Sequence, residues 1–152
     1  MVPTPVNVIP VEIDVPYRRL LSMILGIPEH ACAMQIHESI VQGFPATLLS
    51  ALCERGDVTP AERNVIVPLR TFKTRLAKQE RLTVAESDRL FRVAHVIALA
   101  RAVFGGSGKA ARWLRKPKER FDGQSPIALV RSSHGVWMVE EMLVQLAEGF
   151  AL

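Results

Sequence analysis

Residues 59–104 read TPAERNVIVPLRTFKTRLAKQERLTVAESDRLFRVAHVIALARAVF, and this stretch decides the fold. Thr59-Pro60-Ala61-Glu62 places an N-cap threonine, a proline at the first helical position and a glutamate at the third, which together start a helix. That helix runs to about Ile66, and Pro68 restarts the chain. The next segment, 68–79, carries Leu69, Phe72 and Leu76 at i, i+3 and i+7, one expected buried stripe. Thr83-Val84-Ala85-Glu86 is a second capping box and opens the longest helix, from 84 to about 104. Its expected stripe is Leu90, Val93, Ile97 and Phe104, with Ala94, Ala98 and Ala100 allowing neighbours close, and Gly105 and Gly106 stop it. No alternating strand pattern of any length interrupts these periods. The fold is expected to be all-α.

Outward from this stretch the pattern is shorter but of the same kind. Helical segments are expected at about 18–26, 33–42 and 45–54, each closed by Gly or Pro. Residues 1–17, broken by four prolines, are expected to be extended and mobile. Downstream, short helices are expected at about 108–115 and 126–132. A final helix over about 135–149 sets Val136, Val139, Leu143, Leu146 and Phe150 on one face. The expected division is a terminal segment 1–17, a helix-turn-helix-like region 18–82 and a small helical domain 83–152.

Charge is distributed unevenly along the chain. The net value is +4 over 152 residues, but residues 59–120 hold fifteen basic and five acidic side chains, and both flanks are net −3. A basic middle of that density suits a polyanion; its plain alternative is a solvated basic helix face. Two short helices joined by a tight turn have the size and order of a helix-turn-helix, whose second helix lies in the major groove. Arg70, Lys73 and Thr74 then occupy the base-reading positions, while Arg75, Lys78 and Arg81 are placed for phosphates. The turn lacks the usual glycine, having Val65, Ile66 and Val67 instead.

Several function classes are disfavoured. The longest uncharged run, Ser39 to Cys53, is 15 residues and contains Gly43 and Pro45; a bilayer span needs roughly 20 apolar residues, so no membrane span is expected. The start has no signal-peptide pattern, and a cytoplasmic location is expected. Cys32 and Cys53 are expected to be buried thiols rather than a disulfide or metal site. His30, His37, His95 and His134 are scattered, and His95 is expected to be a satisfied core or interface histidine. Gly105-Gly106-Ser107-Gly108-Lys109 has the wrong spacing for a phosphate loop and reads as a helix-ending turn. No catalytic residue, cofactor or metal is expected, and nothing argues for an enzyme.

The last seventy residues resemble a known family. Glu86-Ser87-Asp88-Arg89-Leu90, Trp113-Leu114, Pro117, Gly123, Pro126, Leu129, Gly135, Val139, Leu143 and Gly149 follow the pattern of the Xre-type antitoxins of RES–Xre toxin–antitoxin modules. They are also similar to the wider Xre/MbcA/ParS group with the same C-terminal toxin-binding region. The resemblance covers roughly 40–152, with two departures: Lys118 stands at the family's asparagine and Asp122 at the first glycine of its pair.

The resemblance implies an Xre-like helix-turn-helix region followed by a toxin-binding domain. It implies a non-enzymatic antitoxin that occludes the NAD site of a RES-domain toxin with its terminal region and represses its operon through operator DNA. Glu140, Glu141, Glu148 and the carboxylate of Leu152 suit a pocket built for an anionic dinucleotide. Trp137, Met138 and Met142 lie off the expected core stripe and, with Phe150, would add apolar contact. Two-fold operator recognition suggests a homodimer and a higher toxin–antitoxin complex. The competing readings are a stand-alone regulator without a toxin, and an adaptor whose basic stretch is only solvated surface.

Overall fold

Helix starts and stops fall where caps, prolines and glycines dictate. The computed structural model describes residues 8–149, and among them every regular element is helical: α1 (Val11–Leu25), α2 (Ala33–Gln42), α3 (Ala46–Glu54), α4 (Pro60–Ile66), α5 (Leu69–Ala77), α6 (Val84–Phe104), α7 (Ser107–Arg115) and α8 (Ser133–Ala147), with 3-10 turns at Glu119–Phe121 and Pro126–Arg131. The all-α expectation holds. No helix of the described residues is long and apolar enough to cross a membrane.

The reading of residues 1–17 as extended is overturned from Val11 onward, while residues 1–7 lie outside the described residues. α1 starts at Val11, with the Pro10 carbonyl accepting from the Ile13 and Asp14 amides at 3.1 Å each. Ile13, Tyr17, Leu21, Ile24 and Leu25 are all buried and share one helical face. Pro16, inside the helix, costs a hydrogen bond. Burying five large side chains, at about 1.5–3 kcal/mol each, outweighs that loss.

The chain forms two compact units: residues up to Leu21 together with Arg92 onward, and Ser22–Phe91. The boundaries fall inside α1 and α6.

The Ser22–Phe91 unit holds α2 to α5 and the first turns of α6. Leu49, Leu52, Val58, Ile66, Val67, Phe72, Leu82 and Leu90 are buried. Thr59 caps α4 as its Oγ1 accepts from the Glu62 amide at 3.2 Å, and Thr83 does the same for the Glu86 amide at 3.2 Å. Gly43 is required: its φ is +85°, and a Cβ there would sit 2.2 Å from the Leu82 carbonyl oxygen. Leu69, expected in the α5 stripe, is 46% exposed because it opens the helix beside Pro68. Phe72 holds that face, with Leu76 half-buried. Cys32, expected to be buried, is exposed before α2.

In the other unit, α6 is buried on every side from Val93 to Ala100, so a single stripe underdescribes it. Phe104 is only half-buried at its end. α8 packs on the Pro126–Arg131 turn so tightly that a Cβ on Gly135 would lie 1.8 Å from the Leu129 carbonyl oxygen. Ser132 caps α8 by accepting from the Gly135 amide at 3.0 Å. Asp122 and Gly123 are consecutive left-handed residues at φ +54° and +81°. A short polar side chain is tolerated there, which accounts for aspartate at a glycine position.

Candidate functional site

The candidate nucleic-acid interface is α4, the turn Val67-Pro68 and α5. Both turn residues are extended, and Pro68 carries the chain directly into α5. No glycine is needed because two arginines satisfy the carbonyls at the end of α4. Arg63, itself buried, donates from Nη1 to the Val67 carbonyl at 2.9 Å, and Arg89 donates from Nε to the Ile66 carbonyl at 2.9 Å.

Arg70, Lys73, Thr74 and Lys78 are exposed on α5. Thr74 Oγ1 donates back to the Arg70 carbonyl at 3.1 Å. Arg75 is placed differently from its neighbours. Its Nε and Nη2 donate to the two Glu86 carboxylate oxygens at 2.9 and 3.3 Å, and Nη1 donates to Glu80 at 3.0 Å. A guanidinium so engaged with two carboxylates fastens α5 to the start of α6 and is not free for a phosphate. Arg81 likewise donates to the Gly43 carbonyl at 2.7 Å. Burial pushes the Glu86 carboxyl up, but hydrogen bonds from Arg75 and from the Thr83 amide, with the Arg75 charge, hold it below the usual glutamate range. Hydrogen bonding to Glu86 in turn raises the Arg75 guanidinium.

The segment Glu86-Ser87-Asp88-Arg89-Leu90 thus serves the helix-turn-helix. Glu86 grips Arg75 and the Thr83 amide, the fully buried Ser87 Oγ accepts from the Phe44 amide at 3.0 Å, Arg89 closes α4, and Leu90 is core. Spacing alone did not reveal the parts played by Arg63, Arg75 and Arg89. The signal available was an arginine close to a helix end that lacks a glycine.

The second candidate surface is the outer face of α8. Trp137, Met138, Glu141 and Gln145 are half-buried and Glu148 is exposed, at helical spacings along that side. Trp137 packs at 5.4 Å from the His134 ring, while Arg120 donates to Gln145 at 2.7 Å and lies 3.9 Å from Glu141. Met142 is a correction: expected off the stripe, it is buried, since it follows Val139 by three residues and the inner face is wider than one line.

Glu140 turns inward. Its carboxylate pairs with His95 Nε2, and the Tyr17 hydroxyl lies 2.6 Å from Nδ1 of the same ring. The two rings meet edge to face. Burial, then the Glu140 charge, pushes the Tyr17 phenol well above its usual range, so it stays a donor. His95 is a satisfied core histidine that ties α1, α6 and α8 within this unit. Phe150 and Leu152, expected at the toxin surface, lie outside the described residues.

Comparison with known proteins follows the same division. A family model described as the antitoxin Xre-like helix-turn-helix domain matches residues 35–95. A second, described as the antitoxin Xre/MbcA/ParS C-terminal toxin-binding domain, matches residues 99–149. "Antitoxin Xre" of Pseudomonas putida is 54% identical over 136 residues, covering 90% of this chain and 86% of that protein. "Antitoxin Xre" of Yersinia enterocolitica is 28% identical over 128 residues, covering 82% of this chain and 86% of that protein. With both domains matched along the chain and 54% identity over 90% of it, the chain belongs to the Xre family of antitoxins.

Proposed function

We propose that this antitoxin neutralises a RES-domain toxin that consumes NAD, by laying the outer face of α8 and the chain beyond it over the toxin's active site. The observation that carries the reading is the α8 face itself. Trp137 and Met138 offer aromatic and thioether area of the kind enriched at protein interfaces, and Glu141 and Glu148 complement a pocket built for an anionic dinucleotide. Glu140 and Met142 support this face from within by holding α8 in place. The chain acts by binding, without an enzymatic step of its own and without a cofactor.

The same protein represses its own operon. Arg70, Lys73 and Thr74 read operator bases from the major groove, and Lys78 contacts phosphate. Two copies bind a two-fold operator as a homodimer within a larger toxin–antitoxin complex, in the cytoplasm.

The experiment is co-expression with the neighbouring toxin gene. Deleting 135–152 would remove the buried Val139 and Leu143 and dismantle the domain, so surface changes are the sharper test. Met138→Glu with Glu148→Lys, and separately a chain ending after Gly149, should lose protection of cell growth while keeping affinity for upstream DNA. Full protection by both would sink the occlusion mechanism.

A further inference from the structure

α7 carries a second basic surface that the reading of α5 and α8 leaves unused. Residues 105–118 contain five cations and no acid. Ala110 and Leu114 are buried and fix the inner face of α7. Lys109, Arg112 and Lys116, at i, i+3 and i+7, are exposed along its outer side. Among the described residues none of these three makes an ion pair, whereas Arg63, Arg75, Arg81, Arg89 and Arg92 are all hydrogen-bonded to carbonyls or carboxylates. At the C-terminal end Lys118 sits 5.1 Å over the Trp113 ring, and burial followed by the charge of Lys116 pushes its ammonium down. The charges of Lys109, Arg112 and Lys116 are therefore not paired with an acid of the described residues.

We propose that the Lys109–Arg112–Lys116 stripe binds the phosphate backbone of DNA, adding sequence-independent affinity to the base reading of α5. This rests on the DNA-binding reading of α5 given above. The stripe is about 10 Å long, the axial extent of about three nucleotides of one strand. Its chemistry separates it from a protein contact: interface cores are depleted in lysine and enriched in aromatics and methionine, as on α8. Exposed Lys and Arg with no acid among them are what phosphate contacts use.

The test uses the full chain with a duplex from upstream of its own gene and a scrambled duplex of equal length, titrated across salt concentrations. Lys109→Gln, Arg112→Gln and Lys116→Gln are combined in one variant, since glutamine keeps helix propensity; far-UV circular dichroism checks the fold. The slope of log affinity against log salt should shrink by up to about three. Affinity near 0.1 M salt should fall on the order of a hundredfold, equally on both duplexes. Co-purification with the toxin should be unchanged. An unaltered slope overturns the proposal, and so does unaltered DNA binding with lost toxin co-purification, which would assign the stripe to the toxin. An Arg70→Gln, Lys73→Gln variant runs in parallel. If it still discriminates the two duplexes, the α5 reading fails whatever the α7 variant does; if the native chain shows no salt-dependent binding, both fail.

Discussion

The two compact units hold themselves together by different chemistry. In Ser22–Phe91 the helices are fastened by guanidinium groups: Arg63 and Arg89 close the end of α4, Arg75 clamps α5 to Glu86, and Arg81 holds the Gly43 carbonyl. In the other unit apolar burial around α6 and the near-contact of the Gly135 and Leu129 backbones dominate, joined by a polar chain through Tyr17, His95 and Glu140. Charge in a sequence is thus a poor measure of charge offered to a partner. Four of the arginines in the basic stretch are internal fasteners, and the cations on offer are fewer and sit on two helices.

The contrast predicts where each unit breaks. The largest effects belong to the glycines. Gly135→Ala and Gly43→Ala should each cost about 3 kcal/mol or more, lowering the melting temperature by about 6–12 °C. Both tryptophans, Trp113 and Trp137, lie in the second unit. Gly135→Ala should therefore shift the fluorescence transition, and Gly43→Ala chiefly the circular dichroism; equal shifts of both signals by both variants would show the units unfolding as one.

Next comes Arg75→Met, expected to cost about 2 kcal/mol, because hydrogen bonds to charged groups are worth about 1.5–3. Arg75→Lys should recover only part of this, lacking the two-pronged geometry. Loss of DNA affinity with unchanged stability would instead put Arg75 on the phosphates.

The pH dependence sharpens the same clamp. The Glu86 carboxyl is held below the usual glutamate range, so its contribution is complete above that range and is lost as pH falls through the folded-state value. Chemical denaturation of Glu86→Gln should show lower stability than the native chain at pH 7, a gap that closes in acid. A gap independent of pH would mean the ion pair contributes nothing. The smallest effect is expected for Leu69→Gln, within about 0.5 kcal/mol as for most surface positions, against about 3 for Phe72→Ala.

Much of this was legible in the residues. Thr59, Pro60, Thr83 and the paired glycines at 105 and 106 set helix ends that the structure reproduces. The departures share a cause: tertiary contacts that local patterns do not encode. Pro16 argued for an extended chain, yet five buried side chains on one face carry α1 through it. Leu69 fits the α5 period but stands at the helix start, where no neighbour covers it. Met142 and Glu140 fall outside a single helical stripe, yet α8 is covered on a broader front. Arg75 and Glu86 are eleven residues apart, and nothing in either alone marks the other as its partner.

One consequence lies in the order of synthesis. The helix-turn-helix unit is a continuous piece of chain and can fold while the remainder is still being made. The toxin-binding unit is discontinuous: Tyr17, made early, waits for His95 and finally Glu140, which lies in the last helix. Until Glu140 is made, the polar chain from Tyr17 through His95 lacks its last member. A chain interrupted after Phe91 and before Glu140 would thus carry the whole helix-turn-helix unit without the Tyr17–His95–Glu140 chain that holds α8.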